Sequence, residues 1–276
     1  MKKVLFALVM VLALAGCSFA EHRVGVLERI KLSPEKLAEL ISINTQIFSE
    51  FSNNPQKPAF KFYRSLNEMV LALNAGDIDE VTLPEAVADY ILSNNPEYFI
   101  NCLLILRKLR VMLSFGFKDD RKELAESFNK ALRGMKRDGT LAVLQSRYIY
   151  SDSAALTDAD TIIPPVFRKF EDAPTIRAAV TGDLPPIDYI AADGKPEGFN
   201  VAILAEICAR LGLNVEILSI ESGARSAALA SGRADVVFWF DHVSGSRLPA
   251  DIPEGVILSE PYYSFNTFYH LAKTAQ

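Results

Sequence analysis

The sequence predicts an α/β protein built from parallel-rich sheets with helices packed on both faces. Short apolar strand patterns alternate with helical segments, and this alternation runs through two blocks, one on each side of residues 149–174. Alternation of this kind is typical of mostly parallel sheets that helices cover on both sides. In such sheets ligand sites form at the carboxyl ends of the strands, where loops lead into helix N-termini.

The first seventeen residues predict export and lipid attachment. Lys2 and Lys3 precede an apolar run over residues 4–14, which is too short to cross a bilayer of about 30 Å as a stable helix. The run leads into Leu-Ala-Gly-Cys17, which resembles the lipobox of bacterial lipoproteins. This resemblance implies that residues 1–16 are a signal peptide and that Cys17 carries lipid. The protein would then be anchored on the periplasmic side of the cell membrane or outer membrane.

Charge and cysteine content exclude several classes of protein. A formal net charge of −5 without a run of Lys or Arg argues against nucleic-acid binding. Besides Cys17 the sequence has only Cys102 and Cys208, each among apolar neighbours, so we expect two separate buried thiols rather than a disulfide. The sequence contains no phosphate-loop, dinucleotide-binding or zinc-binding motif. We therefore predict neither a cofactor nor a metal.

Turn signals and composition divide the rest of the chain into two blocks and a linker. A linker rich in Ser, Thr, Asp and Pro separates a first block and its closing segment from a second block. Ser65 and Glu68 have the spacing of a capping box, and Asn200 is the predicted N-cap of a helix. The linker covers 149–174 and the second block covers 175–276. The family resemblance given next implies that the first block covers 17–113 and that its closing segment over 114–148 is a hinge strand with closing helices.

Motifs in the second block resemble the first lobe of periplasmic solute-binding proteins, family 3, the polar amino-acid-binding type. Motifs in the first block and the closing segment resemble the rest of the same fold. The second-block motifs are Ala179–Tyr189, Gly198–Val201, Ser231–Val237, Ser244–Arg247 and Ser259–Tyr263. The others are Val24–Val26, Ala72–Asp79, Leu83–Ala88, Phe115–Phe117 and Phe128–Thr140.

The order of these motifs implies a circularly permuted version of the family's two-lobed, type II fold. In the family the pieces found here in the first block follow the first lobe, whereas here they precede it. We expect the helices near 122–145 to pack on the second block, and a single covalent hinge near Val111–Phe117 to join the lobes. A chain whose lobes pair between two molecules is the alternative, because hinge elements exchange easily.

The resemblance also implies a set of ligand-binding residues. Arg247 lies at the position where the family binds a carboxylate through two parallel hydrogen bonds. Pro84 replaces the family's ammonium-binding Asp, with Glu85 beside it as a substitute. The remaining candidates occupy or adjoin other site positions, with bulkier or smaller side chains than the family has there: Phe240, His242, Asp183, Leu184 and Ser222.

These residues predict an extracytoplasmic solute-binding lipoprotein without enzymatic activity. It would bind a small polar or carboxylate-bearing solute in a cleft between the lobes, for an ABC-type transporter or a sensor. One alternative is a ligand-free structural or partner-binding lipoprotein on the same fold, with Trp239 and Phe240 filling the pocket. Another is a dehydratase-like enzyme. Its candidates by position are Asp183, Asp188, Asp241 and His242.

The anchor is expected to restrain the protein close to the membrane. Only Ser18 to Glu21 separate Cys17 from the first strand, so this tether reaches at most ~14 Å when fully extended. From the permutation we expect the anchor to enter at the hinge-side end of its lobe.

Overall fold

Two mixed β-sheets divide the chain into two lobes, which we call the five-stranded and the six-stranded lobe. The computed structural model describes residues 21–27, 42, 58–105, 110–150, 164–244 and 252–274. It describes the backbone alone of residues 104–105 and 239–244. The predicted α/β class with two lobes is confirmed by the two sheets and the helices that cover them.

The described strands are β1 His22–Leu27, β2 Pro58–Tyr63, β3 Glu80–Pro84, β4 Tyr98–Ile105, β5 Arg110–Lys118, β6 Thr175–Val180, β7 Asp183–Leu184, β8 Asp188–Ile190, β9 Pro196–Glu197, β10 Asn214–Ser219, β11 Val236–Ser244, β12 Val256–Leu258, β13 Tyr263–Phe265 and β14 Thr267–Lys273. The described helices are α1 Leu66–Ala75, α2 Glu85–Asn94, α3 Lys122–Arg137, α4 Thr140–Tyr148, α5 Phe199–Leu211 and α6 Arg225–Ala230. Among these residues the strand orders are β2-β1-β3-β14-β4 and β10-β6-β11-β5-β12, with β13 also paired to β5 and β7–β9 forming a small third sheet.

The two large sheets have the same plan, and each takes one interior strand from the other half of the chain. β5 follows the strands of the five-stranded lobe but pairs with β11 and β12 in the six-stranded lobe. β14 follows the strands of the six-stranded lobe but lies between β3 and β4. The chain therefore crosses between the lobes twice, at 105–110 and at 265–267.

The expectation of a single covalent hinge is therefore wrong. The last strand of the predicted second block, β14, belongs to the five-stranded sheet because it hydrogen-bonds to β3 and β4 there. The two crossings lie side by side, since β13 pairs antiparallel with β5 through Tyr263 with Leu113 and Phe265 with Val111. A hinge of two neighbouring strands limits twisting between the lobes more than one strand would.

The closing helices pack on the six-stranded lobe. α3 and α4 contact each other and α5, and α3 also lies against β5 and β12. Phe128 of α3 is fully buried between Phe115 and Phe117 of β5, with ring centroids 5.2 and 5.1 Å away. Arg210 of α5 donates to Asp138 at the end of α3 over 2.7 Å. Burial of aromatic rings is the main contribution to this contact.

One Arg–Asp pair holds the first and third strands of each sheet together. In the five-stranded lobe Arg23 donates through its backbone N–H and its guanidinium to both carboxylate oxygens of Asp79, over 2.7–3.1 Å. In the six-stranded lobe Arg177 makes the same three bonds to Asp235, over 2.9–3.1 Å. Asp79 and Asp235 each return a backbone N–H to the carbonyl of their arginine. The two lobes thus share a local structure as well as a strand order.

The helix starts agree with the sequence in α1 and differ in α5. Ser65 caps α1 by accepting the N–H of Glu68, so this half of the predicted capping box is confirmed. The return bond is shifted by one residue, because Glu68 accepts the N–H of Arg64 instead of that of Ser65. The N-cap of α5 is Gly198 rather than Asn200. Gly198 has φ +106°, and a Cβ there would stand 2.7 Å from the carbonyl oxygen of Ile187, so only glycine fits. Asn200 instead accepts the hydroxyl of Tyr262 inside the core.

Two further expectations need correction. Cys208 is buried, but Cys102 is half-buried because β4 is an end strand of its sheet among the described residues; both thiols are free. The chain enters β1 at His22. Both crossings, at Ile105 of β4 and Thr267 of β14, lie at the carboxyl-end side of β1, because β14 is antiparallel to β3 and β4 and β3 is parallel to β1. The anchor therefore joins the five-stranded lobe at the end opposite the hinge, not at the hinge-side end.

Replacing the aspartate of each Arg–Asp pair by asparagine tests how much that pair contributes to stability. We expect Asp235→Asn to lower the free energy of unfolding by about 1–3 kcal/mol, because two arginines and a backbone N–H lose a charged acceptor that is 9% exposed. Asp79→Asn should cost less, under about 1 kcal/mol, because the Asp79 side chain is 39% exposed. Urea denaturation measures both changes. Equal decreases in the free energy of unfolding would show that burial does not control how much each Arg–Asp pair contributes.

The Asp235 carboxyl also predicts part of the decrease in folding stability at acid pH. Burial alone would raise the pKa of Asp235, but the hydrogen bonds from Arg177 outweigh it, so the pKa lies below its usual range. A lowered folded pKa stabilises the protein above the unfolded value of about 3.9. This contribution is lost as the pH falls through the folded pKa. We expect Asp235→Asn to lose less stability than the wild type between pH 6 and pH 3, as measured by urea denaturation at each pH. Parallel pH profiles would contradict this.

Candidate functional site

A cavity of about 810 Å³ lies between the two lobes. It lies at the carboxyl ends of β2, β6 and β10, as expected for a site in a parallel-rich sheet. Residues from the five-stranded lobe line one side, and residues from the six-stranded lobe line the other. The lining residues are Arg64, Ser65, Glu68, Thr181, Asp183, Ser219, Ile220, Glu221, Ser222, Gly223 and Ala224.

The five-stranded lobe contributes the first turn of α1 to the cavity. β2 ends at Tyr63, and the chain turns through Arg64 and Ser65 into the helix. The hydroxyl of Ser65 and the carboxylate of Glu68 are used in the capping box, which fixes the backbone of this turn. Arg64 is exposed, and its guanidinium makes no ion pair with another described residue. Among the described lining residues Arg64 is the only cation.

The six-stranded lobe contributes hydroxyls and carboxylates. Thr181 follows β6 and donates its hydroxyl to Asp188 over 3.0 Å, and Asp188 is itself buried. Asp183 and Glu221 also line the cavity, at β7 and just after β10. The five-stranded side therefore carries the Arg64 guanidinium and the Glu68 carboxylate, and the six-stranded side carries the carboxylates of Asp183 and Glu221. Such an arrangement can hold a solute that carries charges of both signs.

Direct contacts join the lobes around the cavity. Ser222 donates its hydroxyl to the backbone carbonyl of Arg64 over 3.1 Å. Tyr90 on α2 faces Tyr189 on β8 with ring centroids 6.4 Å apart. Burial, and then the hydrogen bond to Glu197, raise the pKa of Tyr189, so its hydroxyl stays neutral at ordinary pH. The lobes are thus in contact at two places, one of them at the cavity lining.

The structure brings two of the predicted ligand-binding residues into the cavity. Asp183 and Ser222 line it. Leu184 is only 1% exposed and belongs to the hydrophobic core, so it is not among the lining residues. Glu85 accepts the hydroxyl of Tyr269 over 3.1 Å and is not among them either. Burial and the neighbouring Asp89 and Glu85 carboxylates raise the pKa of Tyr269 to about 12.

The other predicted residues are described in part or lie outside the described residues. Phe240 and His242 belong to β11, and the backbone of Phe240 pairs with Leu113 of β5; the structure describes no side chain for either. Arg247 and the predicted lipidation site Cys17 lie outside the described residues.

Sequence reasoning missed Arg64. It identified the strand at residues 61–63 and the capping box that follows, but not the residue between them as a site residue. The signal was present, because side chains between a parallel strand and the helix after it lie at the carboxyl edge of the sheet.

The described residues offer neither a metal site nor a membrane-spanning helix. No group of three or more His, Cys, Asp or Glu among them is arranged to hold a metal ion. None of the helices in the described ranges combines the length and apolar character needed to cross a membrane.

Comparison with solved structures returns binding proteins of import systems at low similarity. One is the ligand-binding component of an ABC-type import system from Staphylococcus aureus with zinc bound, at 10% identity and TM-score 0.44, covering 91% of this chain and 65% of that one. Another is the alkanesulfonate-binding protein SsuA from Xanthomonas axonopodis pv. citri bound to MOPS, at 14% identity and TM-score 0.40, covering 92% and 65%. The chain thus spans about 65% of the length of these proteins.

Two family matches cover separate parts of the sequence. Residues 1–18 match the prokaryotic membrane lipoprotein lipid attachment site, which includes Cys17. The protein is accordingly held by lipid on the periplasmic side of a membrane. The second match begins within β6 and ends within β14. Over these residues, 176–272, the chain is similar to the bacterial extracellular solute-binding proteins, family 3.

Proposed function

We propose that this lipoprotein binds a small polar, carboxylate-bearing solute of the amino-acid type in the cavity between its lobes. The observation that carries the proposal is the cavity itself, which lies at the carboxyl ends of strands from both lobes. Its volume of about 810 Å³ falls in the range of small-molecule sites, roughly 300–1,000 Å³. The family match over residues 176–272 supports the same role.

The distribution of charge in the cavity supports an amino-acid-like ligand. Arg64 can hold a carboxylate through two parallel hydrogen bonds, the geometry that guanidinium suits best. Asp183 and Glu221 on the opposite side can accept an ammonium group, and Thr181 and Ser219 add hydroxyls. Arg247, implied by the family resemblance, stays a predicted second carboxylate ligand. We propose no catalytic role for any of these residues.

Binding would deliver the solute to a membrane partner. A protein held at the membrane by lipid can present a loaded cleft to a permease of an ABC-type transporter or to a sensor. The two-strand hinge at 105–110 and 265–267 allows the lobes to open and close around a solute, as hinged binding domains do.

A thermal-shift screen of amino acids and small carboxylates tests the proposal. A ligand at a hundredfold excess over its dissociation constant should stabilise the wild type by about 2.7 kcal/mol. Arg64→Ala should weaken binding of that ligand roughly ten- to a hundredfold, because it loses hydrogen bonds to a charged group. Glu85→Gln is the matched control. We expect it to keep full affinity, since Glu85 holds Tyr269 and does not line the cavity.

Two outcomes would overturn the proposal. If no solute shifts the wild type, the ligand-free structural or partner-binding alternative is favoured. If a solute binds and Arg64→Ala and Arg247→Ala both leave the shift unchanged, the carboxylate is not held by arginine at this site.

We also propose that the chain is a circular permutation of the family's fold. The family match ends within β14, and the strands that complete the five-stranded sheet come earlier in the sequence. The end of β14 lies near the start of β1. Lys273 pairs with Tyr98, one residue beyond the pair that Ala272 makes with Phe99, and β3 alone separates β14 from β1. Two strand spacings amount to about 10 Å. Neighbouring ends of this kind permit rejoining.

A rearranged chain tests the permutation. Residues 164–273, followed by a short Gly/Ser linker and residues 22–150, restore the order implied by the family. We expect this chain to fold with the thermal stability of the unlipidated parent over residues 22–276 and to give the same circular dichroism spectrum. A control with the same linker placed inside β3 should fail to fold. Failure of the rearranged chain as well would contradict the proposal.

A further inference from the structure

A hydrogen bond joins the two lobes at the sheet edges farthest from the hinge. Arg64 follows β2 directly, and Ser222 comes three residues after the end of β10. β2 and β10 are end strands of their sheets among the described residues. The strands next to the crossings, β14 and β5, each lie three strand spacings away, about 14 Å. The bond between Arg64 and Ser222 therefore spans the side of the cleft opposite the hinge.

A bond in this position is sensitive to opening of the lobes. The hydroxyl of Ser222 donates to the backbone carbonyl of Arg64 over 3.1 Å. Rotation of one lobe by about 10° about the hinge moves a group ~14 Å away by ~2.5 Å, which takes this pair beyond hydrogen-bond distance. The bond can therefore form only while the lobes are closed.

The donor is held in place within the six-stranded lobe. Ser222 is 6% exposed and begins a single 3-10 turn that ends at Ala224. Arg225, which is 3% exposed, donates through Nε to the carbonyl of Ser222 over 3.0 Å and through Nη1 to the carbonyl of Phe238 over 3.1 Å. Since Phe238 belongs to β11, this buried guanidinium ties the turn that carries Ser222 to an interior strand of the sheet.

The acceptor is held in place within the five-stranded lobe. The backbone N–H of Arg64 donates to the carboxylate of Glu68 over 3.3 Å, and the hydroxyl of Ser65 accepts the N–H of Glu68. These bonds fix the backbone between β2 and α1, including the carbonyl of Arg64. Because donor and acceptor are both fixed within their own lobes, little conformational freedom is lost when the lobes meet.

We propose that the hydrogen bond between Ser222 and the Arg64 carbonyl is a latch that holds the lobes closed. The latch consists of protein atoms alone, so it favours the closed arrangement before any solute enters. Its loss shifts the equilibrium between closed and open lobes toward the open arrangement. One consequence rests on the proposed function: a solute enclosed by the closed lobes gains affinity by the factor by which the latch raises the closed population.

Pulsed electron paramagnetic resonance on lipidated protein in detergent micelles, without added solute, tests the latch. In a background with Cys102→Ala and Cys208→Ala, nitroxides are attached after Leu71→Cys on α1 and Ala230→Cys on α6. Both positions are exposed. Their helices start close to the two ends of the latch, so the distance between the labels reports on its opening.

Removal of one hydroxyl should open the lobes. We expect Ser222→Ala to raise the ratio of open to closed molecules roughly two- to tenfold, as the loss of one ordinary hydrogen bond does. The matched control is Ser127→Ala, which removes a hydroxyl that bonds to the carbonyl of Glu123 within α3 over 2.8 Å. We expect the control to keep the distances of the parent.

Three results would overturn the latch. These are equal distance distributions for the parent and Ser222→Ala, a parent in which the open distance already dominates, and an equal change from Ser127→Ala. Thermal unfolding checks that each labelled protein is folded, and Ser222→Gly replaces Ser222→Ala if the latter does not fold. Because no solute is added, failure of the latch leaves the proposed function standing, and failure of the solute screen leaves the latch standing.

Discussion

The exchange of one interior strand between the lobes is the constraint on which the rest of the structure depends. β5 completes the six-stranded sheet between β11 and β12, and β14 completes the five-stranded sheet between β3 and β4. Neither sheet closes its hydrogen bonds without a strand from the other half of the chain. An interior strand left out would expose two rows of backbone donors and acceptors, which is costly in a buried sheet. This exchange fixes both crossings and holds the carboxyl ends of β2, β6 and β10 against the same cavity.

The repeated Arg–Asp pair gives the two halves of the chain the same local structure. Arg23 with Asp79 and Arg177 with Asp235 join the first strand of each sheet to the third by paired side-chain and backbone bonds. The third strand must therefore start level with the first. The pair thereby supports the parallel register of these two strands in each sheet. Arg121 adds a fourth hydrogen bond to Asp235 alone, which ties the start of the closing helices to the six-stranded lobe.

Sequence patterns predicted the local features well and the placement of the site poorly. The capping box at Ser65 and Glu68 depends on residues three apart, so it could be recognised without the fold. Asn200 was predicted as an N-cap by its type, but Gly198 caps α5 because its backbone passes against the carbonyl of Ile187, a contact that no local pattern reports. Leu184 aligned with a ligand-binding position, yet it is buried in the core. Arg64 was overlooked because its role depends on the opposite lobe.

The sequence by itself determined that the protein is exported and held at a membrane, through residues 1–17. It also determined the α/β class, through the alternation of strands and helices, and the family resemblance of the second block. Only the tertiary structure decided that β14 joins the five-stranded sheet, that two neighbouring strands form the hinge, and that Arg64 lines the same cavity as Asp183 and Glu221. The physical reason is that local sequence patterns carry information only about residues that are close together in the chain. Apolar periodicity and capping residues state which face of an element is buried. They do not state which strand it will pair with, because that choice is made by hydrogen bonds between segments more than a hundred residues apart.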